Sequence, residues 1–494
     1  MRFINQLIRL RLITPRTLFL IARAKAIHGN NLCFLLKLAA DRFGNKTAIT
    51  DGKLQLNFRE LYHAVLSLSL AIRNECQMNG EKATAVLACN NSFAHIIFLY
   101  ALQNLGIKVI LVNHKAHINE INSIRENQPL TSYLFSSEPD HLKLGNARKI
   151  DKIITASFNT GKERTLSKKY APVIFPTSGT TGKSKLIEKK KGVFYWLCSF
   201  ADLVTCTGIY KRDAVFISSP VSHSFGYSAL LFALALGKKA MVTDNKNHQE
   251  ITELIIKEKI DLIAGVPSSL YQIAVSMKDK TNLIRLIISG GAPLTEIILQ
   301  EVSQGLTKNI FSLYGSTEAS TSFIADHDLL KKNIHALGRP LKGIRYRLAP
   351  LAEGGKELLI KSHLANNSPC EWLHSGDMVE EDDNHNLIWC GRKDNMIIKN
   401  GVNIYPAQIE NAFLRLGAIE DVLVTGEENK VKGEIIIAYV KTKPTAQFDE
   451  QKIREGLKSF LPGIKIPDKI IQVKFFEFTS TGKKIYPVMR SSNS

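Results

Sequence analysis

Apolar positions along this chain follow two alternating rhythms. Residues 58–72 repeat apolar side chains at the three-to-four spacing of an amphipathic helix, and 84–88 form a short apolar run that predicts a buried strand. The pair recurs at once: 94–105 predicts a helix closing at Gly106, and 108–112 a strand. Strand-like runs return at 171–176, 214–218, 239–243 and 262–264, with helical stretches between the last three. Strands alternating with helices predict an α/β fold, a large N-terminal domain of mixed, mostly parallel sheets covered by helices. No repeat of solenoid length interrupts it.

Near residue 391 the rhythm changes. Gly391-Arg392-Lys393-Asp394-Asn395 is polar and separates the apolar strands 387–389 and 396–398. A smaller α+β unit follows: helix 407–416, strands 421–425 and 434–440, helix 450–461, and strand 471–476. The expected organisation is therefore an N-terminal domain over 1–391 and a C-terminal lid over 392–494, within the two to four domains that 494 residues suggest.

Composition adds bounds. The chain is 45% hydrophobic and 22% charged, enough to bury a large core. Its cysteines, at 33, 76, 89, 198, 206, 370 and 390, form no C-x-x-C pair, so neither a zinc site nor a disulfide framework is indicated. This fits reduced thiols in a cytoplasm. A net charge of +20 favours anionic partners. The cations are spread rather than gathered, and no nucleic-acid recognition motif occurs, so no nucleic-acid partner is expected. Residues 1–26 carry Arg2, Arg9, Arg11, Arg16, Arg23 and Lys25 with no acid. With the apolar patches Phe3, Ile4, Leu7, Ile8, Leu10 and 18–22, they make 1–30 a basic amphipathic segment. It is too interrupted for a signal peptide or a span. Two readings stand: packing against the body of the protein, or peripheral contact with an anionic membrane.

The densest chemistry lies after strand 171–176, in Thr177-Ser178-Gly179-Thr180-Thr181-Gly182-Lys183-Ser184-Lys185. Glycine lets backbone N–H groups converge on an anion, hydroxyls add donors, and lysine adds charge: a phosphate cradle. Gly182-Lys183-Ser184 completes the tail of a Walker A loop, which would make the chain a phosphotransferase. That pattern requires glycine where Thr177 stands, and a helix directly afterwards. Leu186-Ile187-Glu188, then Lys189-Lys190-Lys191-Gly192, reads instead as a hairpin.

The order S-G-T-T-G-x-x-K resembles the phosphate loop of the adenylate-forming superfamily, which includes acyl-CoA synthetases, luciferases and peptide-synthetase adenylation domains. Four further segments resemble that family's motifs in its order. They are Tyr314-Gly315-Ser316-Thr317-Glu318; His374-Ser375-Gly376-Asp377; Gly391-Arg392-Lys393-Asp394 with Gly401-Val402-Asn403-Ile404-Tyr405-Pro406; and Thr479-Ser480-Thr481-Gly482-Lys483. Ser184 departs from the usual proline. The resemblance implies ATP and Mg²⁺ as cofactors and coenzyme A as co-substrate. It implies that Thr177, Ser178, Gly179, Thr180, Thr181, Gly182 and Lys185 hold the β- and γ-phosphates, with Glu318 and Thr180 at the metal. Tyr314, Gly315 and Thr317, and the turn Gly290-Gly291-Ala292, would lie beside adenine and acyl group. Asp377 would take the ribose hydroxyls, and Arg392 would contact ribose or phosphate.

Adenylation brings a carboxylate and a departing pyrophosphate to opposite sides of one phosphorus. A lysine reaching both relieves their repulsion. The resemblance assigns this to Lys483; Lys484 adjoins it, and spacing from Gly482 selects Lys483. The family turns its lid about a residue two places after the arginine, here Asp394. Ile398 stands where many relatives carry lysine, and the following Lys399 receives no catalytic role.

Pro220-Val221-Ser222-His223-Ser224-Phe225-Gly226 resembles the segment at the mouth of the family's acyl pocket. His223 either orients the carboxylate or is a packed, hydrogen-bonded histidine. No aspartate occurs between 215 and 242 to pair with an α-ammonium, and 227–236 is apolar and small. The expectation is a medium- or long-chain fatty acid–CoA ligase, cytoplasmic or peripheral on the inner membrane face. An aryl-acid CoA ligase is the runner-up, as is a ligase loading an acyl carrier protein.

Overall fold

A computed structural model describes residues 8, 14–76, 83–114, 116, 121–122, 124, 132–136, 147–149, 167–177, 185–189, 197–243, 247–278, 282–351, 355–362, 371–429, 433–478 and 484–485. The chain packs as two units. The first comprises Met1–Asp328, Arg339–Ile344 and Lys361–Glu371; the second comprises Leu329–Gly338, Arg345–Ile360 and Trp372–Ser494.

Among the described residues of the first unit, two sheets share one apolar core. The first runs in the order Arg339–Pro340, Ser320–Asp326, Ile310–Ser316, Leu286–Gly290, Leu262–Gly265, Ala214–Ile217, Lys239–Met241, Thr47–Thr50, Gln55–Asn57. From Ile310–Ser316 to Thr47–Thr50 neighbouring strands are parallel, and the edges turn antiparallel. The second runs Ala147–Lys149, Ser132–Ser136, Thr84–Cys89, Lys108–Asn113, Val173–Thr177, Lys185–Lys189, parallel except for the last pair. The buried strands read as unbroken apolar runs, as parallel strands covered on both faces must. Helix Phe58–Cys76 presents Phe58, Leu61, Val65, Leu68 and Ile72 inward, each fully buried, at the helical spacing that predicted it. Helix Phe93–Asn104 starts where the Ser92 hydroxyl accepts the His95 N–H. Gly106 then takes φ +75°, and the following strand begins at Lys108.

The second unit holds a sheet ordered Ile344–Pro350, Lys356–Ser362, Leu373–Glu381, Leu387–Arg392, and a second sheet built on the long pair Ile419–Asn429 and Gly433–Thr442. Helices Pro406–Arg415 and Glu450–Lys458 add Ile409, Phe413, Ile453 and Leu457 to its core. Two expected elements shift. The helix expected over 450–461 ends at Lys458, because Pro462 disfavours helical backbone just before it. The strand expected over 471–476 is Lys469–Gln472, fixed by parallel pairing of Ile470 with Ala438, while Phe476 packs with Ile435, Ile437 and Tyr439. Lys399 is buried, and its Nζ lies 2.7 Å from Asp468 Oδ2, which also accepts the Ile436 N–H: an internal ion pair.

Candidate active site

In the first unit, strand Val173–Thr177 leads into the Gly/Ser/Thr segment, and Lys185–Lys189 returns antiparallel to it, with Thr177 opposite Lys185. A hairpin strand therefore stands where a Walker loop would need a helix, and the phosphotransferase reading falls with it. Ser178, Gly179, Thr180, Thr181 and Gly182 lie outside the described residues, as does Lys483.

Strands Ile310–Ser316 and Ser320–Asp326 form a second hairpin whose turn carries Thr317 and Glu318. Tyr314 faces Phe323 edge-on, with ring centroids 5.9 Å apart. Gly315 permits the crossing: a Cβ there would come within 2.3 Å of the Ser320 carbonyl oxygen. The turn is held at several points. The Ser316 hydroxyl accepts the Ala319 N–H at 3.0 Å, and Ser320 sits at φ +61°. Lys189 reaches in from the first hairpin, donating to the Thr317 carbonyl and, at 2.7 Å, to the Ser320 hydroxyl. Burial pushes its ammonium down to about 8, against the pull of Glu318.

Strand Leu286–Gly290 ends at Gly290-Gly291-Ala292, where Gly291 takes φ +84°. A Cβ on Gly290 would come within 2.7 Å of Phe225 Cε2, so the glycine makes room for that ring. His223 is the N-cap of helix Ser224–Ala235, and its carbonyl accepts the Tyr227 N–H. Burial lowers its pKa, which favours the neutral ring. Asn91 clamps the segment just before it, accepting the Val221 N–H at 2.7 Å and donating to the Ser219 carbonyl at 3.2 Å. Behind Phe225 lies a small apolar cavity of about 30 Å³ walled by Leu203, Val204, Phe232, Ile288 and Leu313. Lys238 also borders it, with Nζ bound to the carbonyls of Tyr210 and Arg212.

The second unit carries the other named residues. Asp377 pairs in register with Arg392 across two antiparallel strands and is 7% exposed. One carboxylate oxygen accepts the Trp389 Nε1–H at 3.0 Å and lies 3.5 Å from Arg392. Arg392 donates to the Ser375 carbonyl at 2.7 Å and lies 3.6 Å from Asp394, which is exposed in the turn Lys393–Asn395. Gly376 takes φ +71° with Arg392 packed against it; a Cβ there would lie 2.7 Å from the guanidinium.

Among the described residues no three His, Cys, Asp or Glu side chains gather to hold a metal ion. Glu318, half-buried in the hairpin turn, offers a single carboxylate; a cation held there would take its other ligands from phosphate oxygens and water, a donor set that would suit Mg²⁺.

A nucleotide-binding α/β unit followed by a small α+β unit defines a class of ligase, and the family profiles agree. "AMP-binding enzyme" matches residues 36–358 and "AMP-binding enzyme C-terminal domain" matches 408–483. The chain belongs to the AMP-binding enzymes, the adenylate-forming ligases. It is similar to the 2-succinylbenzoate–CoA ligase of Oceanobacillus iheyensis, 26% identical over 87% of this chain and 93% of that one. It is also similar to the ligase of that name from Staphylococcus epidermidis, 25% identical over 91% and 96%. Among solved structures, the o-succinylbenzoate CoA synthetase of Bacillus subtilis with its acyl-adenylate intermediate superposes with a TM-score of 0.79 at 21% identity, covering 91% of this chain and 96% of that one. ATP-bound MatB of Rhodopseudomonas palustris also superposes at 0.79, at 20% identity, covering 92% and 97%.

Proposed function

We propose that this protein activates an aryl carboxylic acid as its adenylate and passes the acyl group to the thiol of coenzyme A. The acid's carboxylate attacks the α-phosphorus of ATP and pyrophosphate leaves. The CoA sulfur then displaces AMP from the acyl carbon, giving the thioester. Residues 177–182 and Lys185 hold the triphosphate, Tyr314 and the glycine turn take adenine and acyl group, and Asp377 takes the ribose hydroxyls. Glu318 and Thr180 would hold a divalent cation, which would offset phosphate charge. Lys483 bridges carboxylate and pyrophosphate in the first step, and Asp394 is the hinge about which the lid, residues 392–494, turns for the second.

The choice of acid rests on the relatives; the small cavity behind Phe225, with the rings of Phe225 and Phe232 in its wall, adds only an apolar, partly aromatic lining to this region. The relatives' names carry an aryl acid, which supports the runner-up over the fatty acid read from the apolar stretch 227–236. Coenzyme A, not a carrier protein, is the acceptor those names support. Among the described residues no helix is long and apolar enough to cross a membrane. A peripheral membrane contact rests only on exposed Leu18 and Phe19 beside the basic residues of helix Pro15–His28.

The test is pyrophosphate release over a panel of acids, with and without CoA. The panel holds 2-succinylbenzoate, substituted benzoates and fatty acids of 8 to 16 carbons (about the range of medium and long chains). Aryl acids should give AMP and a CoA thioester. Higher kcat/KM for the fatty acids would overturn the choice of acid; ADP as product would overturn the reaction.

A further inference from the structure

The phosphate-loop motif accounts for residues 177–185 but not for the cation that ends the strand after it. Lys189 is 7% exposed, and burying an ammonium is costly when a packed apolar side chain would fill the same space. Its Nζ donates to two groups that lie more than a hundred residues away in sequence, the Thr317 carbonyl and the Ser320 hydroxyl. Those two residues bracket Glu318. One of them, Ser320, holds a left-handed conformation that only surrounding contacts can enforce on a residue with a Cβ. The Glu318 charge in turn favours the buried ammonium. At the strand's other end Thr177 pairs with Lys185, so one short hairpin carries both the exit of the phosphate loop and the clamp on the Glu318 turn.

We propose that Lys189 is a positioning residue for the nucleotide site, fixing the Glu318 turn against the phosphate-loop hairpin so that both meet one metal–triphosphate. The proposal rests on the reading of Glu318 as the metal-facing carboxylate. Lys189 touches no substrate; it acts through the turn.

Lys189→Met keeps the length and apolar stem but removes the donors. The measurement is ATP binding by calorimetry with and without Mg²⁺, alongside thermal melting of the nucleotide-free protein. Loss of the two bonds should weaken ATP binding about tenfold with Mg²⁺ and no more than about twofold without it. Lys189→Gln, which retains a donor, should fall between. In a Glu318→Gln background, Lys189→Met should cost no more than about twofold further, because the turn then has no carboxylate to place. A lower melting temperature with Mg²⁺-dependent affinity unchanged would reduce Lys189 to a packing role and overturn the proposal. Full additivity of the two substitutions would also overturn it. If Glu318→Gln alone leaves Mg²⁺-dependent binding intact, the metal reading itself fails, a result separate from either. Should Lys189→Met not fold, the Lys189→Gln and Ser320→Gly proteins carry the same comparison.

Discussion

Asp377 illustrates what a single buried carboxylate requires. It is almost wholly buried, and a buried anion is tolerable only when donors surround it. Trp389 supplies an indole N–H and Arg392 a nearby positive charge. Trp389→Phe removes one hydrogen bond to a charged group, worth about 1.5–3 kcal/mol. Affinity for AMP should fall roughly 10-fold or more, with little change in KM for the acid. Equilibrium binding of AMP to the variant checks this. Asn91 does comparable work in the first unit, holding the segment before His223 from both sides. Asn91→Ala leaves the Val221 N–H and the Ser219 carbonyl without that partner. We expect KM for the acid to rise several-fold while AMP affinity stays constant, read from initial rates and AMP binding. Neither Trp389 nor Asn91 belongs to a recognisable motif. Each matters because of a partner brought near by folding, and no spacing along the chain announces it.

At the scale of elements, the helix Pro15–His28 is pinned at its end by a buried histidine. His28 Nε2 lies 3.0 Å from the Tyr62 hydroxyl, and burial, with Lys37 nearby, pushes its pKa down to about 4. The unfolded chain takes up that proton near pH 6.5, whereas the folded chain resists it until about 4. The contribution is complete above pH 6.5 and is lost as pH falls toward 4, on the order of 3 kcal/mol at full loss. Thermal melts between pH 7.5 and about 4.5 should show this slope, and His28→Gln should flatten it. Helix and strand positions were largely legible at this scale, because burial on both faces leaves continuous apolar runs in strands and a stripe in helices. The misses were element ends. Whether Lys469 or Ile471 begins the last core strand depends on register against Gly433–Thr442, which no local pattern encodes.

For the whole molecule, the proposal requires one lid to serve two half-reactions. Asp394→Pro fixes φ at the hinge and should arrest the enzyme between them. Acyl-adenylate should still form at near-normal rate while thioester formation drops at least ~100-fold, about 2.7 kcal/mol in the second barrier. Lys483→Ala should do the reverse, stopping adenylation yet converting supplied acyl-AMP to thioester. Single-turnover assays on each half-reaction distinguish the two. Equal loss of both steps in both variants would sink the two-state lid.

The motifs through which the chain declares its reaction class are local strings, because cradling phosphate and turning sharply demand particular residues at fixed spacing. Alternating apolar runs likewise carried the α/β class, since burial is read from neighbours along the chain. Other features came from contacts between residues distant in sequence. The hairpin that removes the Walker reading, the Phe225 ring over Gly290, the clamp of Lys189 on the Glu318 turn and the indole on Asp377 all depend on which surfaces meet. Cavity shape belongs with them: Leu203, Phe232, Ile288 and Leu313 come from separate elements, and their joint wall exists only once those elements pack.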